Sequence, residues 1–239
     1  MLNNSSKFVR YHELNRNALN VEYHIHTNQT DGNASIENVL RNAHGKCLSA
    51  VAFTEHVRRE SGWFKNFVET VRKEGKDYPD IKVYVGCEAK VLDKNGHLDI
   101  SEEILNLSDV VLGSVHRFPD NGGGYIDFNT LDAKSFAEIE CELALALLEK
   151  APINVLAHPG GMYQRKHGTY PENLFRKLFK ASLKRGIAME INSSYLTDFG
   201  LFLDLCQEFN PYVSIGSDAH TLDEIGYCRD LLYKRESFR

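Results

Sequence analysis

The chain has 239 residues, 42% of them apolar, and a formal net charge of −5. That length suits one α/β barrel or two small domains, and the acidic balance gives no basic footprint for extended duplex nucleic acid. Residues 1–20 are polar and lack the apolar core of a secretory signal, and no stretch reaches the roughly 18 apolar residues of a membrane span.

After this N-terminal arm, residues 21–26 alternate as a first strand, with His24 and His26 on one face because i and i+2 share a side of an extended chain. Ser35 is a good N-cap for a helix that buries Ile36, Val39, Leu40 and Ala43 and stops at Gly45. Residues 48–53 are a buried-strand run ending in Thr54-Glu55-His56, and residues 62–75 alternate at helical spacing up to Gly75. A third strand at 81–85 leads to Gly86-Cys87-Glu88, and residues 93–100 read as a small hairpin around Asn95-Gly96. Ser101 caps a short helix, and a fourth strand at 109–113 ends in Ser114-Val115-His116. The loop 117–130 carries three consecutive glycines and leads to the longest helix, 132–150. A fifth strand, 153–157, ends in His158-Pro159-Gly160; a polar loop, 161–169, precedes a helix opened by Pro171. Strand six, 187–191, has Glu190 and Asn192 at its end; helix 196–209 and strand 212–215 follow, then Gly216-Ser217-Asp218-Ala219-His220. A final helix and a basic, frayed tail at 234–239 complete the chain.

Seven strand-then-helix units in strict alternation imply a parallel sheet, since parallel neighbours need crossover connections. The expected fold is a single-domain α/β (β/α)7 TIM-like barrel, with an open doubly wound sheet as the alternative. The glycine-rich phosphate-binding patterns that accompany many such sheets are absent. No linker or repeat divides the chain, and its five scattered cysteines form no C-x-x-C, so they read as reduced, mostly buried thiols of a cytoplasmic protein.

Six of the ten histidines stand at strand ends (His24, His26, His56, His116, His158 and His220), with Glu88 and Asp218 beside them and Asp31 in the first loop. In α/β barrels that rim is where chemistry sits. Nine ligand-type residues exceed the needs of one ion and point to two or three divalent ions sharing a carboxylate, with Glu88 the best bridge. Clustered cations suit hydrolysis at phosphorus, where they activate water and offset developing charge. The donor set does not choose among Zn, Mn and Fe.

The motifs His24-Ile-His26-Thr27, Asp31-Gly32, Thr54-Glu55-His56, Glu88, Gly113-Ser-Val-His116, His158-Pro159 and Gly216-Ser-Asp218-Ala-His220 resemble the PHP (polymerase and histidinol phosphatase) family over about residues 21–226. The resemblance implies a distorted (β/α)7 barrel with a trinuclear site. It would place one ion on His24, His26, Glu88 and Asp218, a second on Asp31, His56 and His220, and a third on Glu88, His116 and His158. Thr54-Glu55-His56 is more similar to histidinol-phosphatase-type members than to nucleotide-cleaving ones. His158-Pro159-Gly160 and Glu190-Ile191-Asn192 also resemble the PHP domains of bacterial X-family polymerases.

The leading expectation is a hydrolase that releases phosphate from a small phosphorylated, histidinol-phosphate-like metabolite by metal-activated water, with Glu88, Asp218 and Arg117 in the chemistry. Arg117, Arg165 and Lys166 are the candidate phosphate contacts, and His167 is read as an exposed loop residue rather than an acid. Glu190 and Asn192 are read as supports, while Trp63 and Tyr125 would flank the mouth beside a glycine lid. The alternatives are a phosphodiesterase or exonuclease on nucleotides or oligonucleotides, and a non-enzymatic metal-binding accessory module. No membrane partner is expected, and oligomeric state is left open.

Overall fold

A computed structural model describes residues 7–120, 122–196 and 198–235. Its strands form one sheet in the order β1-β8-β7-β6-β5-β4-β3-β2. β2 (Val21–Ile25), β3 (Ala50–Val57), β4 (Lys82–Lys90), β5 (Val110–Ser114), β6 (Val155–Leu156), β7 (Ala188–Asn192) and β8 (Tyr212–Gly216) pair parallel with one another. The connections carry α1 (Ile36–Gly45), α2 (Phe64–Glu74), α3 (Glu102–Leu107), α4 (Ala133–Lys150), α5 (Gly161–His167), α6 (Glu172–Arg185) and α7 (Phe199–Phe209), and α8 (Tyr227–Tyr233) ends the fold. Side-chain caps start several of these helices: Ser35 accepts the Asn38 N–H, and Asp132 the Ser135 N–H at 2.7 Å.

The two outer parallel strands meet just beyond β8. The Ala219 N–H donates to the His24 carbonyl at 2.9 Å, and the His26 N–H to the Ala219 carbonyl at 2.9 Å. Seven parallel strands are thereby closed into an α/β TIM-like barrel, and the open-sheet alternative is set aside. The closure also draws the Asp218 segment against the His24–His26 strand, so one seam builds both barrel and site.

At the other end of the seam lies β1 (Val9–Arg10), antiparallel to β8. Phe8 and Leu19 are buried there, and the Phe8 ring packs edge-on against Tyr23 at 5.6 Å. Residues 7–20 are therefore a plug rather than the polar arm their composition suggests, because the few apolar residues present are the ones buried.

Other boundaries also differ from the sequence reading. β3 and β4 run past the apolar runs at 48–53 and 81–85, so His56 and Glu88 lie within strands and are paired in register. Ladder hydrogen bonds carry these strands on where hydrophobicity has stopped. Residues 161–167 form α5 instead of a polar loop. No apolar period announces this helix; the buried Glu140 carboxylate holds its start by accepting the Met162 and Tyr163 N–H groups at 3.0 and 2.8 Å. Pro171 sits one position before α6, and α7 begins at Phe199 behind the Asp198 cap rather than at 196. The expected hairpin forms, with Val91 bridging Leu98 around a left-handed Gly96. Most of the tail 234–239 lies outside the described residues. Of the five free cysteines, only Cys47 is exposed. Among the described residues, no helix is long and apolar enough to cross a membrane.

Candidate metal centre

All nine ligand-type residues converge at the carboxyl end of the barrel. Glu22 and His24 of β2 and His26, one residue past its end, alternate onto the inward face and are buried, and the two imidazole rings stand 5.1 Å apart. His24 is oriented from behind. Its Nδ1 is 2.7 Å from Glu190 Oε1 of β7, and a carboxylate there makes Nδ1 the protonated nitrogen and turns Nε2 inward. The other Glu190 oxygen accepts the His158 N–H at 2.6 Å, so one buried carboxylate aligns residues of two strand ends. Gly216 makes room for this arrangement: a Cβ there would lie 2.2 Å from Glu190 Oε1 and 2.8 Å from the His24 Cβ.

The innermost group comprises His24, His26, Glu88 and Asp218, all buried. His24 Nε2 lies 3.5 Å from Glu88 Oε2 and 3.4 Å from Asp218 Oδ1; His26 Nε2 lies 3.6 and 3.1 Å from the same two atoms. Among the described residues, His24 Nε2, both ring nitrogens of His26 and Glu88 Oε2 make no hydrogen bond of good geometry, although acidic or imidazole atoms crowd around them. Buried polar atoms are rarely left so, because each costs about 1–3 kcal/mol. The spacing fits a divalent cation: ligands about 2.0–2.2 Å from an ion in tetrahedral array stand roughly 3.3–3.6 Å from one another.

A second group lies nearer the surface. Asp31 Oδ2 is 3.4 Å from His56 Nε2 and 3.4 Å from His220 Nε2, and Asp31 Oδ1 is 3.9 Å from His26 Nδ1. The resemblance had put His26 with the first ion only; here its ring faces both groups. The third group is His56, Glu88 and His116, with His56 Nδ1 2.9 Å from Glu88 Oε2 and His116 Nε2 2.8 Å from Glu88 Oε1. His158 Nε2 shares that oxygen at 2.8 Å. Glu88 thus touches five imidazoles, and His56 divides its two nitrogens between Asp31 and Glu88.

The electrostatics follow from burial and crowding. Burial pulls the His24 imidazole down, but Glu190, Asp218 and Glu88 outweigh it and hold its pKa well above the usual value. Burial lowers His26 to about 4, helped by its neighbours His24 and His56. For His56, burial is outweighed by Glu88, which raises the ring to about 9. The Glu88 carboxyl, despite burial, is held well below the carboxylate range by His116 and His24, and Asp218 is likewise lowered by His24 and His26.

Two buried carboxylates that sequence reasoning passed over build the loops carrying Asp218 and Asp31. Glu22 accepts the Ser217 N–H at 2.7 Å, the Ser217 hydroxyl at 2.5 Å and the Gly226 N–H at 2.9 Å. Glu55 accepts the Thr27 N–H at 2.8 Å and the Thr27 and Thr30 hydroxyls. Glu22 was accessible from strand alternation, being two residues before His24; Glu55 points across an interior that only the fold defines. Backbone strain also falls here, with His158 and Asp218 at φ of 29° and 50°, a conformation that costs on the order of 1–3 kcal/mol.

The outer candidates are less uniform. Arg117 is exposed beside His116, with its guanidinium 5.3 Å from the Tyr125 ring. Arg165 lies on the Tyr195 ring at 3.6 Å, and Tyr195 stacks on His158 at 4.2 Å. Nothing in the sequence marked Tyr195. Lys166 donates to the Phe128 carbonyl at 2.5 Å and to Asn129 at 3.3 Å, so its ammonium is already engaged. His167 packs on Phe136 and Tyr163 at the end of α5. Asn192 accepts the Ser194 and Tyr195 N–H groups, a support as expected. Tyr125 lines a cleft with His116 and Arg117, whereas Trp63 packs on Phe64 and Phe67 of α2 and lines no part of that cleft.

Comparison with known proteins agrees with this geometry. A protein named "Probable phosphatase" from Caldicellulosiruptor saccharolyticus is 27% identical over 225 residues, covering 88% of this chain and 84% of that protein. Another of the same name, from Syntrophotalea carbinolica, is 25% identical and covers 89% and 86%. Among solved structures, the histidinol phosphate phosphatase of Lactococcus lactis, described in complex with Zn, L-histidinol and phosphate, superposes with a TM-score of 0.70. It is 17% identical and covers 92% of this chain and 94% of that one, a likeness of fold. The PHP domain model matches residues 22–194. With that match spanning most of the barrel, the chain belongs to the PHP domain family.

Proposed function

We propose that the protein is a metal-dependent phosphomonoesterase acting on a small phosphorylated metabolite. The observation that carries this reading is the set of buried ligand atoms of His24, His26 and Glu88 that make no hydrogen bond of good geometry and converge with Asp218. His24, His26, Glu88 and Asp218 would hold one divalent ion. Asp31, His56 and His220, with His26 in reach, would hold a second, and Glu88, His116 and His158, with His56 in reach, a third. Zn, Mn or Fe bound there would supply Lewis-acid polarisation and a water of lowered pKa. Glu190 fixes the His24 ring so that its Nε2 stays available. Arg117 and Arg165 bind phosphate oxygens through the planar guanidinium fork. Lys166 lines the cleft beside His116 and Arg117 and secures its wall through the Phe128 carbonyl.

The names of the curated relatives and the contents of the Lactococcus structure support the phosphatase reading and put histidinol phosphate among the esters to screen. The test is a phosphate-release screen on the metal-loaded protein. Release from monoesters but not from oligonucleotides is expected. Cleavage of oligonucleotides alone would make it a nuclease, and no turnover with metals replete would make it a binding module.

A further inference from the structure

Two cavities open beside His116 and share Arg117. The smaller, about 250 Å³, is lined by His56, Glu88 and His116 of the candidate centre together with Arg58, Lys90 and Arg117. The larger, about 640 Å³, is walled chiefly by Tyr125, Ile126, Phe128 and Met162.

The cations of the small cavity follow from strand alternation. Lys90 stands two residues beyond Glu88 on β4 and shares its strand face, while Arg58 follows His56 just past the end of β3, where His56 and Glu88 are paired in register. Both basic residues line the cavity with the ligand-type residue they follow. Lys90 is paired with Asp99 at 3.3 Å, but among the described residues neither Arg58 nor Arg117 has a carboxylate at ion-pair distance. Arg117 and Lys90 both face the Tyr125 ring, at 5.3 and 5.7 Å, which keeps them at the cavity without neutralising them. The one acid lining the larger cavity, Asp127, accepts the Asn129 N–H at 2.9 Å.

Charge balance gives these residues a purpose. Three divalent ions against the carboxylates of Asp31, Glu88 and Asp218 leave a centre whose positive charge already exceeds that of a phosphate dianion. Arg58 of the smaller cavity is then surplus to that need. We propose that Arg58, with Lys90 beside it, forms a second anion subsite next to Arg117, so that the preferred substrate carries a carboxylate or second phosphate besides the phosphate that is cleaved. An amino-alcohol phosphate is then a poor substrate. This rests on the phosphomonoesterase reading.

The test compares three esters on the metal-loaded full chain: 3-phosphoglycerate, glycerol 3-phosphate and phosphoethanolamine. We expect kcat/KM to fall in that order, with 3-phosphoglycerate ahead of glycerol 3-phosphate by about tenfold, the scale of one charge-assisted contact. In Arg58→Ala the ratio between those two should collapse towards one. A preference for phosphoethanolamine overturns the subsite, and so does an equal loss on all three esters in Arg58→Ala, which would place the arginine on the cleaved phosphate. If none of the three esters is hydrolysed, the phosphate-release screen decides the phosphatase reading. Calorimetric binding of the same esters then decides the subsite: tighter binding of 3-phosphoglycerate that is lost in Arg58→Ala supports it, and equal binding overturns it.

Discussion

Glu88 and its partners set the chemistry at the scale of single residues. One buried carboxylate lies against five imidazoles, an arrangement that repels itself unless cations or protons intervene. His24→Ala or Asp218→Ala should abolish phosphate release while circular dichroism stays native; an undiminished rate in either variant would remove these residues from the site. Glu190→Gln separates orientation from ligation. It leaves His24 in place but weakens the acceptor that fixes its tautomer, and such supports are worth about 10–100-fold in metal affinity. Chelator competition should register a loss of that size, and unchanged affinity would mean that Glu190 serves only packing. Most of the ligand-type residues were readable from sequence because residue type coincides with the end of an apolar strand run, and Asp31 because it follows the His24–His26 pair in the first loop. Glu55 and Tyr195 were not, because their partners, the 27–30 loop and His158, are brought to them only by the closed barrel.

Among the elements, α5 shows how a helix without an apolar period is held. Its first N–H groups end on Glu140, which is wholly buried, and burial outweighs those two bonds to raise the carboxyl from 4.5 to about 8. Between those values the folded protein keeps a proton that the unfolded chain has released, so stability falls as pH rises from 4.5 towards 8 and levels off above. The loss is roughly 5 kcal/mol at 1.36 kcal/mol per pH unit. Buried Glu22, raised to about 7, adds its own slope in both proteins, so denaturant unfolding across that window should show a steeper fall in wild type than in Glu140→Gln; parallel curves would mean that the Glu140 carboxyl is ionised in the fold. The helix escaped sequence reading for the same reason, since a lone acid on α4 gives no local signal of what it caps. β1 escaped it too, because two residues are too few to alternate. The seven parallel strands were legible, since buried runs punctuated by helices have no other economical packing.

The whole molecule couples its closure to its chemistry. The barrel is sealed where Ala219 bonds to the strand of His24 and His26, so occupancy of the centre should tie the seam together. Stripping divalent ions with a chelator should lower the melting temperature, and Zn or Mn should restore it, by the linkage that any ligand of the native state obeys. A melting point indifferent to chelator would disconnect the two. The most direct test of the central claim is the metal content of the purified protein measured beside that of Asp218→Ala. The account predicts about two to three divalent ions per chain in the wild type and a clear loss in the variant. Equal content in the two proteins, or none in the wild type after exposure to Zn, Mn and Fe, would contradict it.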